Sequence, residues 1–260
     1  MATWDDPRPV NFGLLTFNTL FRGDSRARIR VLAGILEESP YDVVCLQEVV
    51  SPVNLATLRR AMPSYPHIAH GPSVPLVRGG LVTLSRRPIV RRHFHTYRFT
   101  GRPRAEGLLR KGALLTRIAF GDRHVTIANT HLTANRDNDW DLANPYTRIE
   151  AGELARLAEL LAHPRLTDPL VVAGDLNVPR SSPVLRDFRA ATGLVDVLDG
   201  GPATTFRPTP KLSLEPIDQI LAAPPLTATT SLVFKDEIRL PDGRATYLSD
   251  HYGIAAAFSA

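Results

Sequence analysis

The sequence predicts an α/β protein made of two packed β-sheets with helices on the outside. Short apolar runs without charge, such as residues 43–46 and 170–173, occur in both halves of the chain and read as strands buried on both faces. Helical periodicity is confined to a few stretches between those runs, too few for one helix per strand. The chain has 260 residues with 43% hydrophobic composition, enough for a sizeable core, and is expected to form one domain over residues 1–260.

Taken in order, residues 12–18 read as a buried strand ending in the polar Asn18. Ser25 is placed to cap a helix running to about residue 39, with Ile29, Leu32 and Leu36 at helical spacing and Pro40 just beyond. Residues 42–47 form a second buried strand that delivers Glu48 at its tip, and residues 52–62 a short helix with Pro52 in its first turn. Residues 79–85 and 89–99 read as strands, and the basic, turn-rich stretch 101–111 as a loop. Residues 112–120 and 124–130 form a hairpin across Gly121-Asp122-Arg123, the second strand ending at His131. A polar loop, 133–144, leads into a helix over 146–161 with Leu154, Leu157 and Leu161 on one face. The apolar run 170–173 stops at Gly174 and is followed by Asp175, Leu176 and Asn177; continued alternation puts Asp175 and Asn177 on one face. Pro183 starts a helix over 182–191, and the last third holds strands at 216–222, 227–234 and 252–258.

No apolar run approaches the roughly 20 residues that span a bilayer. Residues 1–10, with Trp4, Asp5, Asp6 and two prolines, do not read as a secretory signal, so a cytoplasmic protein is expected, and a monomer. The single cysteine, Cys45, lies among apolar neighbours and reads as a buried structural thiol. The formal charge of +5 is local: residues 86–111 carry nine Lys/Arg against one acid, Glu106. Such a patch attracts anionic partners, although a chain with only three lysines uses arginine throughout.

Strand after strand ends in a polar residue that chemistry can use: Asn18, Glu48, His131, Asp175 with Asn177, Asp218, and Asp250 with His251. Each has an ordinary structural explanation taken singly, as a turn residue, a cap or a satisfied core histidine. Their repetition is what matters, because strand ends facing one rim share one crevice.

In order and content these tips resemble the endonuclease/exonuclease/phosphatase superfamily of metal-dependent phosphoesterases, which has the fold of DNase I. The matching stretches are Thr16-Phe17-Asn18, Leu46-Gln47-Glu48-Val49, Asn129-Thr130-His131-Leu132, Gly174-Asp175-Leu176-Asn177, Pro216-Ile217-Asp218-Gln219-Ile220-Leu221 and Leu248-Ser249-Asp250-His251-Tyr252. The resemblance implies a four-layer α-β-β-α sandwich of two mixed sheets with the site at one edge. It makes Glu48 the principal ligand of a divalent ion, with Asn18 beside it and Asp250 completing the shell. Hard oxygen donors favour magnesium, or manganese, over zinc. It further implies that Asp175 orients or deprotonates the attacking water and Asn177 donates to a phosphate oxygen. Asp218 polarises His251, which serves as a cation on phosphate or as a base, and His131 assists the leaving group as acid.

Within the superfamily, Pro216-Ile217-Asp218-Gln219 differs from the Trp-Cys-Asp-Arg of inositol polyphosphate phosphatases. The tryptophan-rich approach of abasic-site endonucleases is absent as well. His131, Lys111-Gly112 before a strand, and Tyr146-x-Arg148 at a helix start are more similar to neutral sphingomyelinases, which makes Lys111, Tyr146 and Arg148 substrate-binding candidates. The aromatic-rich membrane hairpin of secreted sphingomyelinases is reduced here to Phe234 and Tyr247, so no stable membrane insertion is expected. The loop Asp137-Asn138-Asp139-Trp140-Asp141 imitates the start of a calcium loop, but has Leu142 at the sixth position and Arg148 at the twelfth. Its charge and indole disfavour a long polyanion and suit a choline-like cation. The expected partner is a phosphate ester. A nuclease tracking a nucleic-acid backbone with residues 86–111 is the alternative, ahead of a non-catalytic binding module, which would lack one of the essential tips.

Overall fold

The computed structural model describes residues 10–98, 109–164, 166–198, 200–210 and 212–259. The first half alternates strand and helix: β1 (Phe12–Asn18), α1 (Ser25–Glu37), β2 (Val43–Gln47), α2 (Pro52–Ala61), β3 (His67–His70) and β4 (Val82–Ser85). The middle holds β5 (Ile89–Thr96), β6 (Gly112–Phe120), β7 (Arg123–His131), α3 (Pro145–Leu161), β8 (Leu170–Asp175) and α4 (Pro183–Thr192). Then follow β9 (Val195–Asp196), β10 (Asp218–Ala222), β11 (Thr227–Val233), β12 (Ile238–Arg239), β13 (Ala245–Thr246) and β14 (Gly253–Ser259).

The strands form two six-stranded mixed sheets, ordered β11-β14-β1-β2-β4-β3 and β5-β6-β7-β8-β10-β9, with β12-β13 as a separate pair. Alternation along buried strands distributes the core. Leu15 and Phe17 of β1 pack with Ile29, Leu32 and Leu36 of α1 and Leu55 and Leu58 of α2. Leu14, one residue away, faces the opposite sheet with Val43, Cys45, Ile127, Val171, Ile220 and Ile254. On the far side, Ala128 and Val172 meet Leu154, Leu157 and Leu161 of α3 and Leu185 and Phe188 of α4. Among the described residues this makes four layers, α-β-β-α, as the resemblance implies. No helix among them is long and apolar enough to cross a membrane.

Several expectations need correction. Ser25 does not cap α1: Asp24 is the capping residue, makes no side-chain cap bond, and gives its carboxylate to Arg244 at 2.9 Å. The strand expected from residue 79 begins at Val82, because Gly79 and Gly80 are left-handed (φ 69° and 63°) and form a turn under Glu48. Asp42 precedes β2 and is held by Gly13 N–H and Arg87. The strand expected over 89–99 ends at Thr96, and Phe99 lies outside the described residues. β3 was not legible, since His67 and His70 break its apolar pattern, and β9, β12 and β13 are two residues each. Cys45 is fully buried, and burial pushes its thiol up to about 12.

Among the described residues, part of the basic stretch is used within the fold. Arg86 caps the end of α1, donating to the carbonyls of Glu37, Ser39 and Tyr41, and lies over the Tyr65 ring. Arg87 pairs with Asp42. Arg91 and Arg92 are exposed on the edge strand β5, Lys111 is buried, and Arg102 and Arg104 lie outside the described residues.

Candidate active site

The two sheets meet at a polar seam. Gln47, at the end of β2, donates to Thr16 Oγ1 at 3.1 Å and, across to the other sheet, to Asn129 Oδ1 of β7 at 2.8 Å. Asn129 returns its own amide hydrogens to the carbonyls of Leu46 and Val82 at 3.2 and 3.0 Å. Both side chains are fully buried, so these bonds replace water and hold the two sheets in one alignment. The residues just beyond the seam, Glu48 on one sheet and His131 on the other, are the candidate site residues.

Register brings the rest together. His131 lies beside Asp175 in the parallel β7–β8 ladder, and Asp218 lies beside Asp175 in the antiparallel β8–β10 ladder. Gly174 (φ 146°) makes the approach possible, because a Cβ there would stand 1.9 Å from Thr130 O. Asp175 is 1% exposed. Its Oδ2 accepts from Asn18 Nδ2 of the opposite sheet at 2.9 Å and lies 3.3 Å from His131 Nε2 and 3.8 Å from His251 Nε2. Burial alone would raise its pKa, but the imidazoles of His251 and His131, with Lys111 nearby, hold it well below the usual carboxylate range.

His251 is fixed by Asp218, whose Oδ2 lies 2.9 Å from Nδ1. The ring also meets Phe206 edge-on at 5.1 Å. Asp218, Asp175 and Asp250 outweigh the burial that would neutralise His251 and push it up to about 10. Asp218 is held in turn by Thr205, whose Oγ1 accepts the N–H groups of Ile217 and Asp218 at 3.1 Å each. Thr205 was missed in the sequence, where a lone threonine in a loop carries no signal.

Asn177 departs from strand alternation. Its φ of 51° ends the strand geometry, and its N–H closes a turn on Asp175 Oδ1 at 2.9 Å. The carboxamide donates to Leu132 O at 3.0 Å, and Trp140 Nε1 donates to Asn177 O at 3.0 Å, which seats the 133–144 loop beside the site. Lys111, expected at the substrate, is 7% exposed, with Nζ 2.9 Å from His131 Nε2 and a second bond to Leu132 O. Tyr146, half-buried, and Arg148, exposed, occupy the first turn of α3, which Asn144 caps by accepting from Tyr146 N–H at 2.8 Å.

Glu48 is left-handed (φ 62°), which turns its carboxylate off the strand line. Its Oε2 accepts from Phe21 N–H at 2.8 Å and Oε1 sits 3.4 Å from Asn18 Nδ2. Asn18 Oδ1 accepts from Leu20 N–H at 3.0 Å. The Asp250 side chain is 42% exposed, takes a bond from Ser249 Oγ, and stands 4.0 Å from His251 Nε2. The guanidinium of Arg28 lies close enough to feel both Asp250 and Glu48, and donates to the carbonyls of Leu20 and Arg22, fixing the loop that presents Phe21 N–H.

Asp175, Asp218 and His251 also offer ligand atoms within 4.8 Å of one another, a grouping compatible with a divalent ion. The donor chemistry favours Glu48 and Asp250 instead. Their carboxylates keep free lone pairs at the rim, whereas Asp218 and His251 are committed to each other through a proton. Hard oxygen donors with no thiolate fit a hard cation.

The Endonuclease/Exonuclease/phosphatase family profile matches residues 15–251. Among curated proteins the chain is similar to a Drosophila melanogaster protein named "Putative neutral sphingomyelinase", 30% identical over 158 residues, which cover 59% of this chain and 35% of that protein. The chain spans about a third of the length of the curated relatives it matches. Among solved structures it is similar to D. rerio TDP2 complexed with a single-strand DNA product (TM-score 0.75, 18% identity, 95% of this chain and 98% of that one). It is also similar to a doubly substituted beta toxin from Staphylococcus aureus with bound magnesium ions (TM-score 0.72, 19% identity, 95% and 99%).

Proposed function

The chain belongs to the endonuclease/exonuclease/phosphatase family, and from that premise we propose that it is a magnesium-dependent phosphodiesterase, working as a single catalytic domain on a small diester by direct attack of water. One observation carries the reading: a buried carboxylate, Asp175, stands between the Asn18 amide and two imidazoles at adjoining strand ends. An aspartate held ionised and oriented in that way is equipped to align the attacking water and to stabilise positive charge beside it. His251, with Nδ1 taken by Asp218, has Nε2 to offer a phosphate oxygen beside Asp175. His131, with Lys111 against its Nε2, stands on the other side of Asp175 and serves the leaving oxygen. Asn177 would steady the phosphate side of the crevice, and Tyr146 and Arg148, in the first turn of α3, would bind substrate. Glu48 and Asp250, with Asn18 beside them, would hold the ion; manganese suits the same donors. Bound there, it supplies positive charge to the phosphoryl oxygens as negative charge builds on them.

Two observations favour a small diester such as sphingomyelin over a nucleic acid. The curated relatives carry the neutral sphingomyelinase name. Part of the basic stretch is also used within the fold, with Arg86 and Arg87 spent on fixing α1 and Asp42. The likeness to TDP2 with its DNA product keeps nuclease activity as the second reading. A panel of sphingomyelin, lysophospholipid, phosphoinositide, nucleotide and plasmid, each with magnesium, decides between them, with Asp175→Asn as control. The expected result is turnover of a small diester, lost in the control. Salt-sensitive cleavage of plasmid alone supports the nuclease reading. Turnover undiminished in Asp175→Asn overturns the site assignment.

A further inference from the structure

Two carboxyl side chains three residues apart on α3, Glu150 and Glu153, are buried behind the His131 strand end, 0% and 4% exposed. A buried carboxyl is costly unless its oxygens are satisfied. Glu153 is satisfied, its two oxygens accepting from the hydroxyl and the N–H of Thr133, each at 2.8 Å. Neither oxygen of Glu150 is held by a well-formed hydrogen bond, although the Asn135 carboxamide is near it. The cation that both glutamates feel is Lys111. Its ammonium is the one that stands 2.9 Å from His131 Nε2 and donates to Leu132 O, the carbonyl that Asn177 also uses.

Charge balance divides the roles. Two ionised glutamates around one lysine would leave a net negative charge buried near Asp175, which is itself ionised. Burial, with Glu153 and Asp175 adding to it, pushes Glu150 up to about 9 against the pull of Asn135 and Lys111. Burial leaves Glu153 raised as well, against the pull of its Thr133 bonds, Lys111 and His131; what marks it as the ionised partner is that both of its oxygens accept from Thr133 donors, whereas those of Glu150 do not. The groups facing Glu150 are thus Glu153 on its own helix, Lys111 at the start of β6, Asp175 at the end of β8 and Asn135 in the loop after β7, with His131 beyond Lys111.

We propose that Glu150 and Glu153 are positioning residues for Lys111: Glu153, ionised, holds the ammonium at His131 Nε2 and Leu132 O, and Glu150, neutral, keeps a second charge from drawing it away. The inference rests on the phosphoesterase reading of the same site. Held there, Lys111 places a cation beside His131, where the leaving oxygen develops charge.

The test compares the full chain with Glu150→Gln and Glu153→Gln over a pH series from neutral to alkaline, using magnesium and bis(p-nitrophenyl) phosphate. Wild-type kcat is expected to fall as Glu150 ionises, and Glu150→Gln to carry its kcat to higher pH. Glu153→Gln lowers kcat at least tenfold with little change in KM. An unaltered alkaline limb in Glu150→Gln, or wild-type kcat in Glu153→Gln, overturns the proposal. Two readouts hold even if the wild type turns over no phosphodiester, a result that would strike the catalytic reading alone. First, the unfolded chain loses the Glu150 proton near the ordinary carboxyl value and the folded chain only near 9, so wild-type stability falls between those limits. Glu150→Gln lacks that loss, and its Tm advantage should therefore grow with pH across the window. Second, the His131 side-chain nitrogen spectrum should change in Glu153→Gln as the Lys111 bond is lost. A Tm advantage independent of pH, or an unchanged His131 spectrum, overturns the proposal as well.

Discussion

Asp175 shows how much of the site is decided one contact at a time. Its oxygens are met by the Asn18 amide, the Asn177 N–H and the two imidazoles, so the carboxylate is both ionised and immobile. Asp175→Asn keeps the shape and removes the charge. Turnover is expected to fall by about a thousandfold or more, as for loss of a principal electrostatic partner, with a circular-dichroism melt within a few degrees of wild type. Thr205 is a subtler case. Replacing it with valine strands two buried N–H groups, those of Ile217 and Asp218, at a cost of about 1–3 kcal/mol each. Because Asp218 fixes His251, kcat of Thr205→Val should drop more than KM rises. Equal stability in urea melts would show that Thr205 does not hold that turn. Sequence reading found Asp175 and Asp218 and missed Thr205, since a hydroxyl that accepts backbone hydrogens leaves no pattern in residue type or spacing.

At the scale of elements, strand ends were legible and their closures were not. Charge-free apolar runs placed β1, β2, β7, β8 and β14 to within a residue or two, because strands buried on both faces tolerate little else. Edge strand β3, with a histidine at each end, is set by its pairing with β4, and β12 and β13 by pairing with each other, not by an apolar run of their own. At Gly174 the β7 backbone leaves no room for a side chain on β8. In Gly174→Ala the new methyl meets Thr130 O, a backbone atom that can move only by parting the ladder. We expect a loss of more than about 2 kcal/mol in denaturant melts, in line with other strained backbone sites and overpacked positions. Activity should be lost with it, since Asp175 is the next residue. A stable, active Gly174→Ala would mean that the two strands are not so close.

At the scale of the molecule the site exists because two sheets are locked in one alignment. Glu48, Asn18 and Asp250 come from the sheet containing β1, β2 and β14, and His131, Asp175 and Asp218 from the sheet containing β7, β8 and β10. The Gln47–Asn129 bridge crosses between them directly behind the crevice. Asn129→Leu leaves the Gln47 amide and the Leu46 and Val82 carbonyls short of a buried partner. The expected cost is about 1–3 kcal/mol per stranded group at most. Activity should fall beyond what the unfolded fraction explains, as the two halves of the site lose register. Activity that tracks the folded fraction alone would assign the bridge to stability and not to alignment.

The sequence by itself determined the layered α/β architecture, the residues carried to the strand tips and the family to which they belong. Those features follow from local apolar periodicity and from residue types that are poor core material unless they serve a purpose. Only the tertiary structure decided that Arg86 and Arg87 are fixtures of the scaffold, that Lys111 is buried against His131, and that Asn18 reaches across to Asp175. It also placed the buried Glu150 carboxyl behind the site. The physical reason is the same in each case: charge, burial and hydrogen bonding at a position depend on which distant strand packs there, and a single chain read in order carries no measure of that distance.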